Sequence, residues 1–206
     1  MKRSLLLTVV VMVVASQIAW RLDSGVTGRK IVAVDVGYLN YHETGLGDGY
    51  SYRMTLSNNS LVGKASPTWI ELGVGLQYFQ SDNPIGPTVE AVYVARNVRL
   101  IDYFPFAMFR LNIPALTFLQ PSLGTRLGPH FMIYSYDLYD VSYNFNHEER
   151  VRHTSLGFDL FSGLRLGDQK FPLGAQVLIS LSFLSSGIRD SAPLGLGTTA
   201  GIFYQF

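Results

Sequence analysis

Apolar and polar positions alternate with a period of two along most of this chain after residue 29. In 67–79, Ile70, Leu72, Val74, Leu76 and Tyr78 fall on one face, and Trp69, Glu71, Gly73, Gly75, Gln77 and Phe79 on the other. In 170–184, Leu173, Ala175, Val177, Ile179, Leu181 and Phe183 alternate with Gly174, Gln176, Leu178, Ser180 and Ser182. The last stretch sets Leu194, Leu196, Thr198, Ala200, Ile202, Tyr204 and Phe206 against Gly195, Gly197, Thr199, Gly201, Phe203 and Gln205. Successive side chains of a strand point to opposite faces, so this period marks strands. Helical spacing is not sustained after residue 25.

The alternation predicts eight strands, at 30–41, 67–79, 87–99, 114–127, 130–143, 152–166, 170–184 and 192–206. Globular strands usually run about 5–6 residues, whereas a tilted strand crossing a membrane needs about 9–11. The connections fall into two sets. Short ones rich in turn formers occupy 80–86, 127–130 and 167–170; longer ones occupy 42–66, 100–113, 144–151 and 185–191. The two sets alternate, as the tight turns and long loops of a membrane barrel do. Within the first long loop, Tyr50-Ser-Tyr-Arg-Met-Thr-Leu56 reads as an extension of a strand above the membrane.

Alternation alone fits a soluble barrel with an apolar interior as well as a membrane barrel with an apolar exterior. Composition separates them. Hydrophobic residues make up 48% of the 206 residues and charged residues 15%, against about 25% charged in a typical soluble domain. The second face is rich in Gly, Ser, Thr and Gln, with few Lys or Glu. Glycines 73, 75, 157, 163, 195, 197 and 201 would dress a water-facing surface poorly but suit a narrow interior filled by side chains. The apolar face is therefore expected to meet lipid. Trp69, Tyr78, Tyr103, Phe104, Tyr143, Tyr204 and Phe206 lie towards strand ends, where aromatic girdles form.

The chain begins Met1-Lys2-Arg3, followed by an apolar run from Leu5 to Ala15. A charged start, a short apolar core and small residues at Val13-x-Ala15 or Gln17-x-Ala19 make a secretory signal peptide. A spanning helix would need about 20 apolar residues, and Gln17 and Arg21 interrupt the run. The expected organisation is a signal peptide over 1–19, a periplasmic segment over 20–29 and a barrel over 30–206. The fold class is all-β: an eight-stranded antiparallel up-and-down transmembrane β-barrel preceded by a signal peptide. The formal net charge of +1 gives no basic excess for nucleic acid, and the absence of cysteine excludes disulfides, thiol chemistry and thiolate metal sites.

Phe206 ends the chain, with Tyr204, Ile202, Ala200 and Thr198 before it at every second place. This resembles the C-terminal signal of bacterial outer-membrane proteins, which the barrel-assembly machinery reads. In strand count, loop asymmetry and terminus the chain resembles the small OmpA/OmpX-type barrels. The resemblance implies residence in a Gram-negative outer membrane, with outer-membrane lipid and the assembly machinery as partners and a surface ligand unidentified.

Charges expected inside the barrel are Asp35, Glu71, Glu90, Arg96, Arg126, Asp137, Asp159 and Arg165. A hairpin through 80–86 would set Glu71 against Arg96 as a lumenal ion pair. His153 and Ser155, two apart on a strand, share a face, so the imidazole could take the hydroxyl proton with Glu148, Glu149 or Asp159 as the carboxylate. At that spacing the chain resembles the PagL-type lipid A deacylases. It departs from them directly afterwards: Leu156 stands where that family has Asn, and Leu160, Phe161 and Gly163 replace its downstream polar segment. The histidines, 42, 130, 147 and 153, lack zinc-ligand spacing, and Gly45-x-Gly47-x-Gly49 precedes no helix, so no metal or cofactor is expected. The expected role is structural or surface-binding, carried by extracellular loops 42–66 and 100–113, without catalysis. The alternatives are a lipid hydrolase using His153 and Ser155, and a narrow pore. In 100–113, Phe104 and Phe106 are expected in the outer aromatic belt.

Overall fold

A strand in hydrocarbon must have both edges paired, because lipid offers no hydrogen bonds. In the computed structural model that requirement is met by closure: each strand pairs antiparallel with the next, and the last pairs with the first. The strands are β1 (Lys30–His42), β2 (Gly47–Asn58), β3 (Thr68–Ser81), β4 (Tyr93–Asn112), β5 (Leu119–Asp140), β6 (Phe145–Leu166), β7 (Leu173–Leu184) and β8 (Leu194–Gln205). The seam is regular. Asp35 lies opposite Gly201, and Lys30 and Phe206 exchange both backbone hydrogen bonds at 3.0 Å. The structure describes residues 30–42, 47–58, 68–81, 93–112, 118–140, 145–167, 172–185 and 194–206. The signal peptide over 1–19 and the segment 20–29 lie outside the described residues.

The number of strands matches the expectation, but two errors cancel in it. Loop 42–66 contains a full strand, β2. The expected strands 114–127 and 130–143 are one continuous strand, β5. The inward row of β2 is Ser51, Arg53, Thr55 and Ser57, all polar. Such a row reads as loop in a soluble protein and is the normal inner face of a membrane barrel. Gly128-Pro129 carries the signature of a turn, yet lies inside β5.

The reason is Pro105 on β4. The β4–β5 ladder is interrupted between the pairs Tyr103↔Phe131 and Ala107↔Leu127, which sets Pro105 opposite Pro129. Neither proline has an N–H to donate, so the two share one gap and each still pairs on its other side, Pro105 with Val74 and Pro129 with Leu156. With that gap bridged, 100–112 is the body of β4 rather than a loop. The strict alternation of short and long connections does not hold either. Segments 43–46, 82–92, 141–144 and 186–193 join strands at one end of the barrel, and 59–67, 113–117 and 168–171 at the end that holds Lys30 and Phe206.

Strand lengths are unequal. β4, β5 and β6 have 20, 22 and 22 residues, against 12 to 14 for the others. The excess lies at one end. β7 reaches only the pair Gly157↔Leu184, so residues 145–156 of β6 continue beyond it. A register shift between Arg96 and Arg99, with Asn97 at φ 52°, marks a bulge where β4 enters this projection.

On β3, β7 and β8 the faces are as the pattern predicts, whereas the far half of β5 turns Asp137 outward rather than inward. Val36, Leu72, Leu127, Leu160, Val177 and Ile202 stand exposed on the outside. The glycine-bearing rows face inward. An exterior of contiguous aliphatic side chains is mismatched to water and matched to hydrocarbon.

Candidate functional site

Buried side chains line the lumen along the described strands. Near the termini it holds a buried apolar cluster of Ile31, Ala33 and Phe203. At the opposite end stands a larger buried apolar cluster of Leu39, Tyr41, Phe79, Val98, Leu100, Met132, Tyr134 and Leu184, with Tyr136 packed on it. Between them lie Asp35, Glu71, Asp102 and Asp159 with Arg53, Arg110, Arg126 and Arg165, all buried, so the carboxylates and guanidiniums balance.

These charges are held by short bonds and by aromatic faces. Gln176 Nε2 donates to Asp35 Oδ1 at 2.8 Å, and Ser57 Oγ to Glu71 Oε2 at 2.9 Å. Arg110 Nε lies 3.9 Å from Glu71 Oε1, and Arg126 Nη1 donates to Asp159 Oδ2 at 3.2 Å. Arg53 donates twice to Gln77 Oε1, at 3.0 and 2.7 Å. The Arg126 guanidinium lies 5.0 Å from the Phe106 ring centre and 5.8 Å from that of Phe104, and Arg165 only 3.7 Å from that of Phe203. Buried charge is tolerable only when paired and bonded, and here each guanidinium meets an acceptor or a ring face.

Glycines provide the room. A Cβ on Gly75 would lie 2.2 Å from the Phe104 ring, one on Gly201 2.2 Å from Asp35 Oδ1, and one on Gly157 2.2 Å from His130 Nε2. The large lumenal side chains thus lie over bare backbone on the neighbouring strand.

Asp35, Glu71, Arg126, Asp159 and Arg165 occupy the lumen as expected. The Glu71–Arg96 pair does not form. Glu71 is in register with Met108 and Arg96 with Asp137, at the far end of β4, because β4 starts later and runs longer than the sequence suggests. Arg110 takes the place beside Glu71. Glu90 and the side chain of Arg96 lie outside the described residues. Asp137 is half-exposed and accepts from Asn97 Nδ2 at 2.7 Å, in the projection rather than the lumen.

Sequence reasoning missed Arg53, Asp102, Arg110 and His130, all in segments read as loop or turn. The available signal was the inward row Leu100, Asp102, Phe104, Phe106, Met108 and Arg110, a period-two run with only Pro105 to disguise it. Phe104 and Phe106 are lumenal, not in the aromatic belt, for the same reason. The girdle is partly as expected. Tyr103 faces outward and stacks on Phe131 with centres 6.1 Å apart, and Tyr204 lies 5.9 Å from Phe206 at the other end. Tyr38, Tyr50 and Tyr52 add to the upper ring; Tyr38 packs edge-on against Tyr50 and its hydroxyl bonds Asp48. The Trp69 side chain and Tyr143 lie outside the described residues.

His153 and Ser155 share the inward face of β6, half-buried and buried respectively. Ser155 Oγ lies 3.1 Å from Ser185 Oγ, which also accepts from Leu156 N at 3.0 Å. Asp159 stands two places further down the same row, about 13 Å along the strand from Ser155, and is bonded to Arg126. The imidazole that holds a carboxylate is His130, whose Nδ1 is 2.6 Å from Asp102 Oδ2 and whose ring stacks on Phe104 at 5.0 Å. His130 stands directly across the ladder from Ser155. Glu149 accepts from the Tyr136 hydroxyl at 2.7 Å, and Glu148 is exposed on the outer face. Among the described residues no group of three potential metal ligands occurs.

No protein-family model matches the chain, and no curated protein matches it. Solved structures do match in fold. Neisserial surface protein A superposes with a TM-score of 0.57 at 14% identity, over 86% of this chain and 97% of that one. Ail, the attachment invasion locus protein of Yersinia pestis, gives 0.50 at 13% identity, over 87% of this chain and 99% of that one. The chain therefore has the fold of small eight-stranded outer-membrane barrels.

Proposed function

We propose that this chain resides in a bacterial outer membrane as a closed barrel with a structural and surface-binding role, and neither conducts nor catalyses. The observation that carries the reading is the lumen. Its charged middle is compensated, and buried apolar clusters stand at both ends. The aliphatic exterior supports residence in a bilayer, and the outward row from Thr198 to Phe206 supports handling by the barrel-assembly machinery. Binding falls to the β4–β6 projection and the connections beside it. This departs from the sequence expectation, since most of the loops assigned that role are strands.

Planar-bilayer recording of the refolded protein tests the closed lumen: the expected result is no step conductance, and steady multi-ion channels would overturn the reading. Fractionation by density, with heat-modifiable gel mobility, tests residence; recovery in the soluble fraction would overturn it. One observation favours a hydrolase instead, the Asp102–His130 pair across from Ser155. Ser155 is buried and bonded to Ser185, which leaves an acyl group little access. Lipid A release from membranes is expected to be the same with Ser155→Ala as without it; a release that depends on Ser155 would establish the hydrolase.

A further inference from the structure

The outer wall of the projection carries a group of arginines that the lumen network does not use. Along β4, β5 and β6 the outward side chains form rows in register. Tyr103, Phe131 and Thr154 make one row; Ile101, Ile133 and Arg152 the next; Arg99, Ser135 and Arg150 the one after. Arg99 and Arg150 are two strand spacings apart, about 10 Å, and Arg152 is one pleat repeat, about 7 Å, below Arg150. Their long stems let three guanidiniums converge on one headgroup-sized area. All three are exposed, and none makes a hydrogen bond or ion pair among the described residues. Asp137 and Glu148 face outward in the following row, farther from the apolar wall, and Asp137 already accepts from Asn97.

The position of the cluster matters as much as its charge. Immediately below it is the stacked Tyr103–Phe131 pair, and below that the outward Pro129, Leu156, Leu127 and Phe158. Descending the wall, the order is cation, aromatic, aliphatic. An amphiphile lying against this face would meet guanidiniums at its headgroup, ring faces at the boundary and hydrocarbon beneath. Guanidinium binds phosphate through paired, charge-assisted hydrogen bonds.

We infer that Arg99, Arg150 and Arg152 form a binding site for the phosphorylated headgroup of an outer-leaflet lipid whose acyl chains lie along β4–β6. The site rests on the membrane-embedded reading above and gives its surface-binding role a ligand class.

The test uses the full barrel folded in detergent, with bisphosphorylated lipid A as probe and its dephosphorylated form as comparison. Binding is read by native mass spectrometry across a lipid titration. The expected result is preference for the phosphorylated form, weakening with salt. Replacing all three arginines (Arg99→Gln, Arg150→Gln, Arg152→Gln) is expected to cost about tenfold or more in affinity, since a hydrogen bond to a charged group is worth roughly one decade. Equal binding of the two lipid forms by the unaltered protein overturns the site, and that arm needs no variant to fold. Equal binding by the triple variant, with unchanged heat-modifiable mobility, also overturns it. Competition by millimolar inorganic phosphate as strong as by the lipid would show an anion site without a lipid component and overturn the assignment to a lipid. Failure here leaves outer-membrane fractionation intact, so it is distinguishable from failure of the proposed residence.

Discussion

Replacing Arg126 with Met probes the lumen most directly. Arg126 supplies the only hydrogen bond to the Asp159 carboxylate among the described residues, at 3.2 Å, and both side chains are nearly inaccessible to water. Met keeps most of the stem volume, so the change removes charge more than packing. It strands Asp159 as a buried anion, and breaking a buried pair from one side costs about 3–5 kcal/mol. Loss of the guanidinium over Phe104 and Phe106 adds about 0.5–2 kcal/mol for each ring it faces. About 4 kcal/mol is therefore a conservative sum, close to three decades in the folding equilibrium.

The double variant Arg126→Met with Asp159→Leu separates charge from shape. With both partners gone no stranded charge remains, and replacing a buried pair by apolar groups is often neutral or stabilising by about 1–4 kcal/mol. Guanidinium chloride unfolding in phospholipid vesicles, followed by loss of the heat-modifiable band, measures both, with unchanged slope as the check that the endpoints are the same. The reasoning is refuted if the single variant loses less than about 1 kcal/mol, or if the double variant loses as much as the two single ones added together.

Gly75→Ala drives a Cβ to 2.2 Å from the Phe104 ring and is expected to cost about 1–3 kcal/mol; Phe104→Leu in the same chain should recover much of it, as read by the same unfolding midpoint. Leu160→Arg, on the outward face of β6 between Thr125 and Leu181, is expected to cost about 2–4 kcal/mol in vesicles; no cost there would contradict the assignment of that face to hydrocarbon. The unaltered barrel is expected to remain silent in bilayer recordings, since buried apolar clusters stand at both ends of the lumen.

The sequence by itself determined which side of β3, β7 and β8 meets lipid. Period-two alternation needs only the geometry of one strand, and the contrast between Leu, Val and Ile rows and Gly and Ser rows needs only composition. It also placed Asp35, Arg126, Asp159 and Arg165 inside, since a charge on the aliphatic face would be costly. Pairing was decided by the tertiary structure. Pro105 and Gly128-Pro129 each look like a break when read alone, and become strand interior only because the prolines stand opposite each other across one ladder. The polar inner row of β2 looks like loop until closure gives it a lumen to face. Glu71 meets Arg110 rather than Arg96 because register along β3 and β4 is a property of two strands together. His130 finds Asp102 across the same β4–β5 ladder that the prolines interrupt. A local pattern can state the face of a residue, whereas its partner depends on how far a neighbouring strand has slid, which no single segment encodes.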